Sequence, residues 1–279
     1  MPTYETDGPI SATLEFEIGS VWIRASKRTD TAVEIRPANA ARDADIKAAG
    51  LTQVDFSGGR LTIKGPKQRT VFSNKKGSIE VVVELPAGSE VHAESPMADF
   101  VTEGPLGDCR VKASMGRIQV DRAENVRLKT DHGDIRLGAA TGDAEVFGAG
   151  RIEVGTVEGR LTVKNSNGDT EIDEVHGELT ANASNGRIHV GGAEAGVDAK
   201  TANGHIRIGR VVRGKVSVQS GVGDVEVGIA EGTAAWLDVH SKFGAVRNTL
   251  GAAEGPGEAR ETVEVRGQTQ VGSITIRRA

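Results

Sequence analysis

Residues 165–190 read NSNGDTEIDEVHGELTANASNGRIHV, and Ser-Asn-Gly occurs in it twice, eighteen residues apart. Each Asn-Gly is followed by a short run in which apolar and polar residues alternate, the period-2 pattern of a half-buried strand. Working outward, stretches of the form x-Gly-x-apolar-x-apolar recur as MGRIQV, HGDIRL, AGRIEV, NGDTEI, NGRIHV, NGHIRI, VGDVEV, FGAVRN and VGSITI. Their glycines are 116, 133, 150, 168, 186, 204, 223, 244 and 272, so the steps are 17, 17, 18, 18, 18, 19, 21 and 28. A repeat of this length defines the whole architecture.

Each unit holds a second alternating stretch about ten residues later: VRLK at 126, AEVF at 144, LTVK at 161, LTAN at 179, VDAK at 197, VSVQ at 216 and LDVH at 237. Alternation puts Ile118, Ile135, Ile152, Thr170, Ile188, Ile206 and Val225 on one face, and Val126, Ala144, Leu161, Leu179, Val197, Val216 and Leu237 on the matching face of the second strand. Val157, Val175 and Ala193 offer a third inward row.

Two arrangements use this pattern: a meander of hairpins turned at Asn-Gly, or a solenoid in which each unit is one coil. The outward residues discriminate, because stacked coils bring equivalent positions to within about 4.8 Å of each other. The position after glycine reads Arg117, Asp134, Arg151, Asp169, Arg187, His205, Asp224, with nearly alternating sign. Two residues on, Glu171 precedes His189 and Arg207 precedes Glu226. The expected fold is therefore an all-β parallel β-solenoid of 17–19-residue coils. The pairs Asn167-Gly168, Asn185-Gly186 and Asn203-Gly204 mark one corner, where positive φ suits Gly and Asn and the amides can stack.

Residues 1–105 are less regular but mostly β and are expected to form a capping segment; residues 106–279 are expected to form the coils, with an atypical last one. One helix is expected within NAARDADIKAAGL, with Asn39 as N-cap and Gly50 as stop. The final SITIRRA places Arg277 and Arg278 where an open edge is expected, and such charge discourages edge-to-edge addition.

Composition agrees with a thin core: 279 residues, 37% hydrophobic, 3% aromatic, with 37 glycines. Residues 1–105 carry 12 Lys+Arg against 15 Asp+Glu and the rest 22 against 24, so the net charge of −5 is spread evenly. No general attraction to nucleic acid or anionic membrane follows. The single Cys109 excludes an internal disulfide and reads as a small buried thiol. The start MPTYETDGPISATLEF lacks a secretory pattern and no long apolar run exists, so a cytoplasmic setting without a membrane span is expected.

Lys64, Lys67, Arg69, Lys75 and Lys76 form the densest basic stretch, with Phe72 among them, and are a candidate contact for a partner. Trp236 and Phe243 read either as an exposed recognition patch or as a cap on the last coils. The six histidines show no H-x-x-x-H and no Cys partner, which gives zinc little support. Calcium β-rolls need Asp at every turn, whereas Arg alternates with Asp here. Asp134, Asp169 and Arg151 superficially mimic the outer-face Asp and Arg of β-helix enzymes that cleave acidic polysaccharides, but the alternation runs along the whole stack. No Gly-x-Ser-x-Gly, P-loop or dinucleotide fingerprint occurs. No catalytic, cofactor-binding or metal residues are expected.

The repeats NSNGD, ASNGR and TANGH, the stretch VGDVEVGIAEGTAAWLDVHSKFGAVRN, the closing GSITIRR and the ELPAGSEVHAESPMADF entry resemble the bacterial putative-adhesin family, a β-strand-repeat domain of unknown function, in its actinobacterial type. The resemblance implies a β-solenoid and no catalytic residues. Bactofilins, cytoplasmic solenoids that polymerise, are a more distant analogy of architecture. The expected function is a non-enzymatic scaffold presenting β faces to an unidentified protein or polysaccharide, with nucleic acid not expected as partner. A bactofilin-like self-assembling filament is the alternative, and a carbohydrate-active β-helix enzyme the third.

Overall fold

Alternating strands with glycine corners can bury one face only by stacking on like strands, and the computed structural model shows that stacking in both halves of the chain. It describes residues 2–66, 76–251 and 259–279. The chain is an all-β parallel β-solenoid, divided into two compact units, Met1–Ala139 and Ala140–Ala279. No helix among the described residues is long and apolar enough to cross a membrane.

In the second unit each coil is two strands joined at a glycine corner: Leu161–Asn167 with Thr170–Val175, Leu179–Asn185 with Ile188–Ala193, and Val197–Asn203 with Ile206–Val211. Equivalent strands pair parallel and in register, with Leu161, Leu179, Val197 and Val216 opposite one another in turn. Ile152, Thr170, Ile188, Ile206 and Val225 do the same on the other strand. These rows are buried, as is the third row of Val157, Val175 and Ala193. The solenoid, not the hairpin meander, is what the alternating charges reported.

The corner itself is set by glycine. A Cβ on Gly186 would lie 2.1 Å from the carbonyl oxygen of Gly168, one coil away, and Gly186 has φ +130°. Both the close approach and the dihedral exclude a side chain. No described residue other than glycine has positive φ, so the expectation that asparagine shares the left-handed region is corrected. The asparagines remain extended and stack, with Asn203 Nδ2 donating to Asn185 Oδ1 at 3.0 Å.

A buried polar row lies just inside this corner. Asn165 Nδ2 donates to Gly150 O at 2.9 Å, and the hydroxyls of Thr201, Ser220 and Thr269 donate to the corner carbonyls of Gly186, Gly204 and Gly223, as that of half-buried Ser241 does to Gly272 on the terminal strand. These oxygens would otherwise be enclosed with few partners, at a cost of about 1–3 kcal/mol each.

Beyond Gly214–Val222 and Val225–Ile229 the stack does not follow chain order. The last segments, Glu261–Val271 and Ile274–Arg278, pair directly with that coil. Thr233–Phe243 and Val246–Asn248 then pair on their other side and form the terminal level. The expectation that SITIRRA lies at an open edge is therefore wrong. Arg277 Nε binds Glu226 Oε1 at 2.7 Å, and Arg278 Nη1 donates to the carbonyls of Ala230 and Thr233. Both arginines are used between coils.

The first unit shows the same insertion. Ser11–Glu15 lies between Arg60–Lys64 and Glu90–Leu106, and Ile18–Ser26 lies between Ile79–Pro86 and Glu90–Leu106, all parallel. Parallel stacking thus reaches well into residues 1–105. The terminal level is antiparallel: Asp30–Pro37 pairs with Ile79–Pro86, Thr3–Glu5 with Asp30–Pro37, and Gln53–Ser57 with Arg60–Lys64.

The one helix among the described residues, Asp43–Leu51, starts later than expected and runs past Gly50. Arg42 precedes it without a side-chain cap, while Asn39 Oδ1 accepts from Ala41 N at 2.8 Å. The deciding residue is buried Asp45, whose carboxylate accepts from the backbone N–H groups of Asn39 and Ser78 at 3.1 and 3.0 Å. That contact ties the helix to the strand beginning at Ile79.

Replacing Gly186 by Ala is expected to destabilise the protein by about 3 kcal/mol or more, since strain and a clash with backbone coincide. Gly8→Ala, where nothing lies within 4 Å, is expected to change stability by less than about 0.5 kcal/mol. Urea unfolding of the two variants checks the difference.

Candidate interaction surfaces

The charged row beside the corner is built by the same register. Asp169 accepts from the backbone N–H of Arg187 at 2.9 Å and from its guanidinium at 2.6 and 3.1 Å. The hydrogen bond from the Arg187 side chain is the main reason its carboxyl titrates below the usual range. Asp99 accepts from Arg117 N at 2.7 Å and Asp224 from Ser273 N at 2.8 Å, while His205 Nδ1 accepts from Asp224 N at 2.9 Å. An acceptor at this corner position therefore receives the N–H of the next coil, which explains why acids recur in the row. Arg151 reaches sideways to Glu153 at 2.8 Å and Glu171 at 2.7 Å. Asp134 is also engaged. Exposed pairs of this kind contribute about 0.2–1 kcal/mol each and fix neighbourhood more than stability.

The corner that follows the first strand's third inward residue carries a second ladder. His176 Nδ1 lies 2.6 Å from Glu158 Oε2, and ligand atoms of Glu174, His176 and Glu194 fall within 4.8 Å of one another. Glu174 is held by Arg210 at 2.6 Å. With Glu158 on His176 and Arg210 on Glu174, two of the three groups already have partners, and the stacking of coils accounts for their proximity. The hydrogen bond to Glu158, with Glu194 and Glu174 nearby, holds the imidazole above its ordinary value.

The five-residue basic stretch is only partly described. Lys67, Arg69 and Lys75 lie outside the described residues, as does Phe72. Lys64 is in register with Glu15 and Gln53, and Lys76 Nζ is 3.8 Å from Glu17 Oε2. The two described lysines stand among carboxylates. Trp236 and Phe243 are both exposed, at 56% and 64%, on the terminal strand Thr233–Phe243. Cys109 is fully buried, and loss of solvation, with Asp108 nearby, pushes its thiol up to about 12. It is packing, not chemistry.

One surface escaped the reading of the sequence. A groove of about 680 Å³ crosses the second unit, lined among others by Asn182, Lys200, Gln219, Gln268, His240 and Lys242. Asn182, Lys200, Gln219, Gln268 and His240 occupy one register position on successive strands. They therefore stand about 4.8 Å apart in a line. Among the described residues no carboxylate lines the groove, although Lys200 Nζ is 3.1 Å from Asp198 Oδ2. The signal was present in the sequence: LTAN, VDAK, VSVQ and LDVH end in these residues. Only Gln268 required knowledge that the last coil is inserted.

This repeat architecture has relatives. The chain belongs to the Toastrack DUF4097 family, whose profile matches residues 13–278. No curated protein matches it. Among solved structures it is similar to a putative adhesin from Bacteroides fragilis, with 14% identity, 99% of this chain and 95% of that one covered, and a TM-score of 0.36. A putative adhesin from Parabacteroides merdae shows 13% identity over 100% and 95% at 0.32, and a putative cell adhesion protein from Clostridium sporogenes 13% over 100% and 98% at 0.24.

The raised His176 makes a pH prediction. A group whose native pKa exceeds its unfolded value stabilises fully below the unfolded value, about 6.5, and loses that contribution as pH rises through the native one. His176→Gln is thus expected to lower the thermal midpoint more at pH 5.5 than at pH 8.5. Paired thermal melts at the two pH values check this.

Proposed function

We propose that this protein is a non-enzymatic interaction scaffold, and that its second unit holds an extended acidic macromolecule, a polysaccharide or a protein segment, along the groove of Asn182, Lys200, Gln219, Gln268 and His240. The observation that carries the reading is the groove's composition and spacing. Amides donate and accept, Lys200 and Lys242 donate as cations, and no carboxylate among the described lining residues opposes an anion. A line of such groups at constant spacing suits a polymer more than a compact metabolite. A cytoplasmic setting belongs to the same proposal.

The test is capture from separated cytoplasmic and envelope fractions of the native organism, followed by titration of acidic and neutral polysaccharides and acidic peptides. Binding of an acidic polymer drawn from the cytoplasmic fraction is expected, weakened about tenfold by Lys200→Glu combined with Gln219→Ala, equivalent to about 1.4 kcal/mol. Equal binding by this double variant, or a preference for neutral polymers, contradicts the groove reading. Capture from the envelope fraction alone contradicts the cytoplasmic setting.

A further inference from the structure

Among the described residues, the strand Thr233–Phe243 has a strand neighbour on one side only, Glu261–Val271. It is eleven residues long, and Gly272 N donates to Phe243 O at 3.0 Å across that pairing. In a parallel ladder alternate residues turn both backbone groups to the same side. The ladder shifts phase at the residue before each corner, since Leu179 N donates forward to Gly196 O while Asn185 O accepts from Gly168 N behind it. Ahead of that shift the even-numbered residues of Thr233–Phe243 serve the existing neighbour, and the N–H and C=O groups of Ala235, Leu237, Val239 and Ser241 face the open edge. Next to them the inward row is incomplete: Leu237 and Val239 are half-buried and Val246 is 45% exposed, whereas Val216, Val218 and Val265 on the coils behind are buried. A long edge with exposed aromatic and aliphatic residues is a template for another strand.

We propose that the occupant is the same strand of a second copy, paired antiparallel about a two-fold axis at Val239. This proposal does not rest on the groove reading, although His240 and Lys242 belong to both surfaces. An antiparallel partner can meet residues of the same parity, so that the free N–H and C=O groups on both edges satisfy one another. With Val239 at the centre, Asp238 lies beside the partner's His240 and Trp236 beside the partner's Lys242, and each contact occurs twice. Opposite charges and a cation over an indole thus face each other in a self-complementary pattern. On the inner face Leu237 meets the partner's Ser241 and Ala235 the partner's Phe243, which covers the half-exposed row. The like-charged alternative, a parallel partner, would place Asp238 and Lys242 each against its own kind.

The association closes at two copies. A filament needs a second open edge, and the first unit's terminal level is blunted: Gln53–Ser57 has five residues, its Phe56 is stacked by Tyr4 at 4.8 Å between ring centres, and its neighbours pair antiparallel.

Sedimentation equilibrium of the free, full chain between about 1 and 100 µM tests the proposal, with affinities in that range corresponding to about 5–8 kcal/mol. Twice the chain mass is expected. Val239→Pro removes an N–H at the open edge that no described strand uses and is expected to yield a monomer that keeps the circular dichroism of the folded protein. Asp238→Lys is expected to weaken the dimer about tenfold or more, and Asp238→Lys with His240→Asp to restore it. A wild-type monomer at the highest concentration, a dimer undiminished by Asp238→Lys, failure of the charge exchange to restore it, or growth into larger polymers would each overturn it.

Discussion

The approach of one corner backbone to the next governs this structure. At Gly168, Gly186 and Gly204 successive coils come so close that a single added carbon would overlap the carbonyl behind it. Because each corner rests on the last, the coils are held in strict register, and every other row follows. Inward aliphatic residues lie on their counterparts, outward charges lie on opposite charges, and amides lie on amides. An isolated coil would leave both faces of its backbone and most of its few apolar groups exposed, so stability belongs to neighbouring pairs of coils.

Close backbone approach creates its own problem, since carbonyls pressed together at a corner need donors. The buried Asn165, Thr201, Ser220 and Thr269 side chains provide them from inside, while Asp99, Asp169 and Asp224 accept from the facing N–H groups outside. The polar residues nearest the corner thus complete its hydrogen bonding. This is why the row of alternating charge extends along the stack and does not gather in a cleft. Surfaces that remain for a partner are those that the corner does not use: the amide and lysine groove, and the terminal strand.

Much of the fold was legible because its determinants are local and repeated. Glycine spacing, period-2 alternation and the sign of the residue after glycine specify coil, face and neighbour. The insertion of Glu261–Arg278 between two earlier coils was not legible, since strand pairing between distant segments leaves no mark on local periodicity. The consequence was a misplaced edge and misread roles for Arg277 and Arg278. The helix boundary was missed for a related reason: Asp45 is anchored by Ser78, far along the chain, and this outweighs the capping propensity of Asn39. The groove residues were visible as strand-end letters, yet their meaning depended on seeing them as one row.

The second unit inserts its last strand pair as the penultimate level, and the first unit inserts Ser11–Glu15 and Ile18–Ser26 behind Arg60–Lys64 and Ile79–Pro86, so the inserted strands are paired on both sides. That arrangement, like the rest, presupposes that residues one period apart are vertical neighbours. The most direct measurement is cross-linking at the asparagine corner, where Cα atoms one level apart lie about 5 Å from each other and those two levels apart about 10 Å. Asn185→Cys with Asn203→Cys is expected to oxidise to a disulfide in the folded protein, whereas Asn167→Cys with Asn203→Cys is not. Cross-linking of the two-level pair, or failure of the one-level pair, would contradict the stacked-coil account.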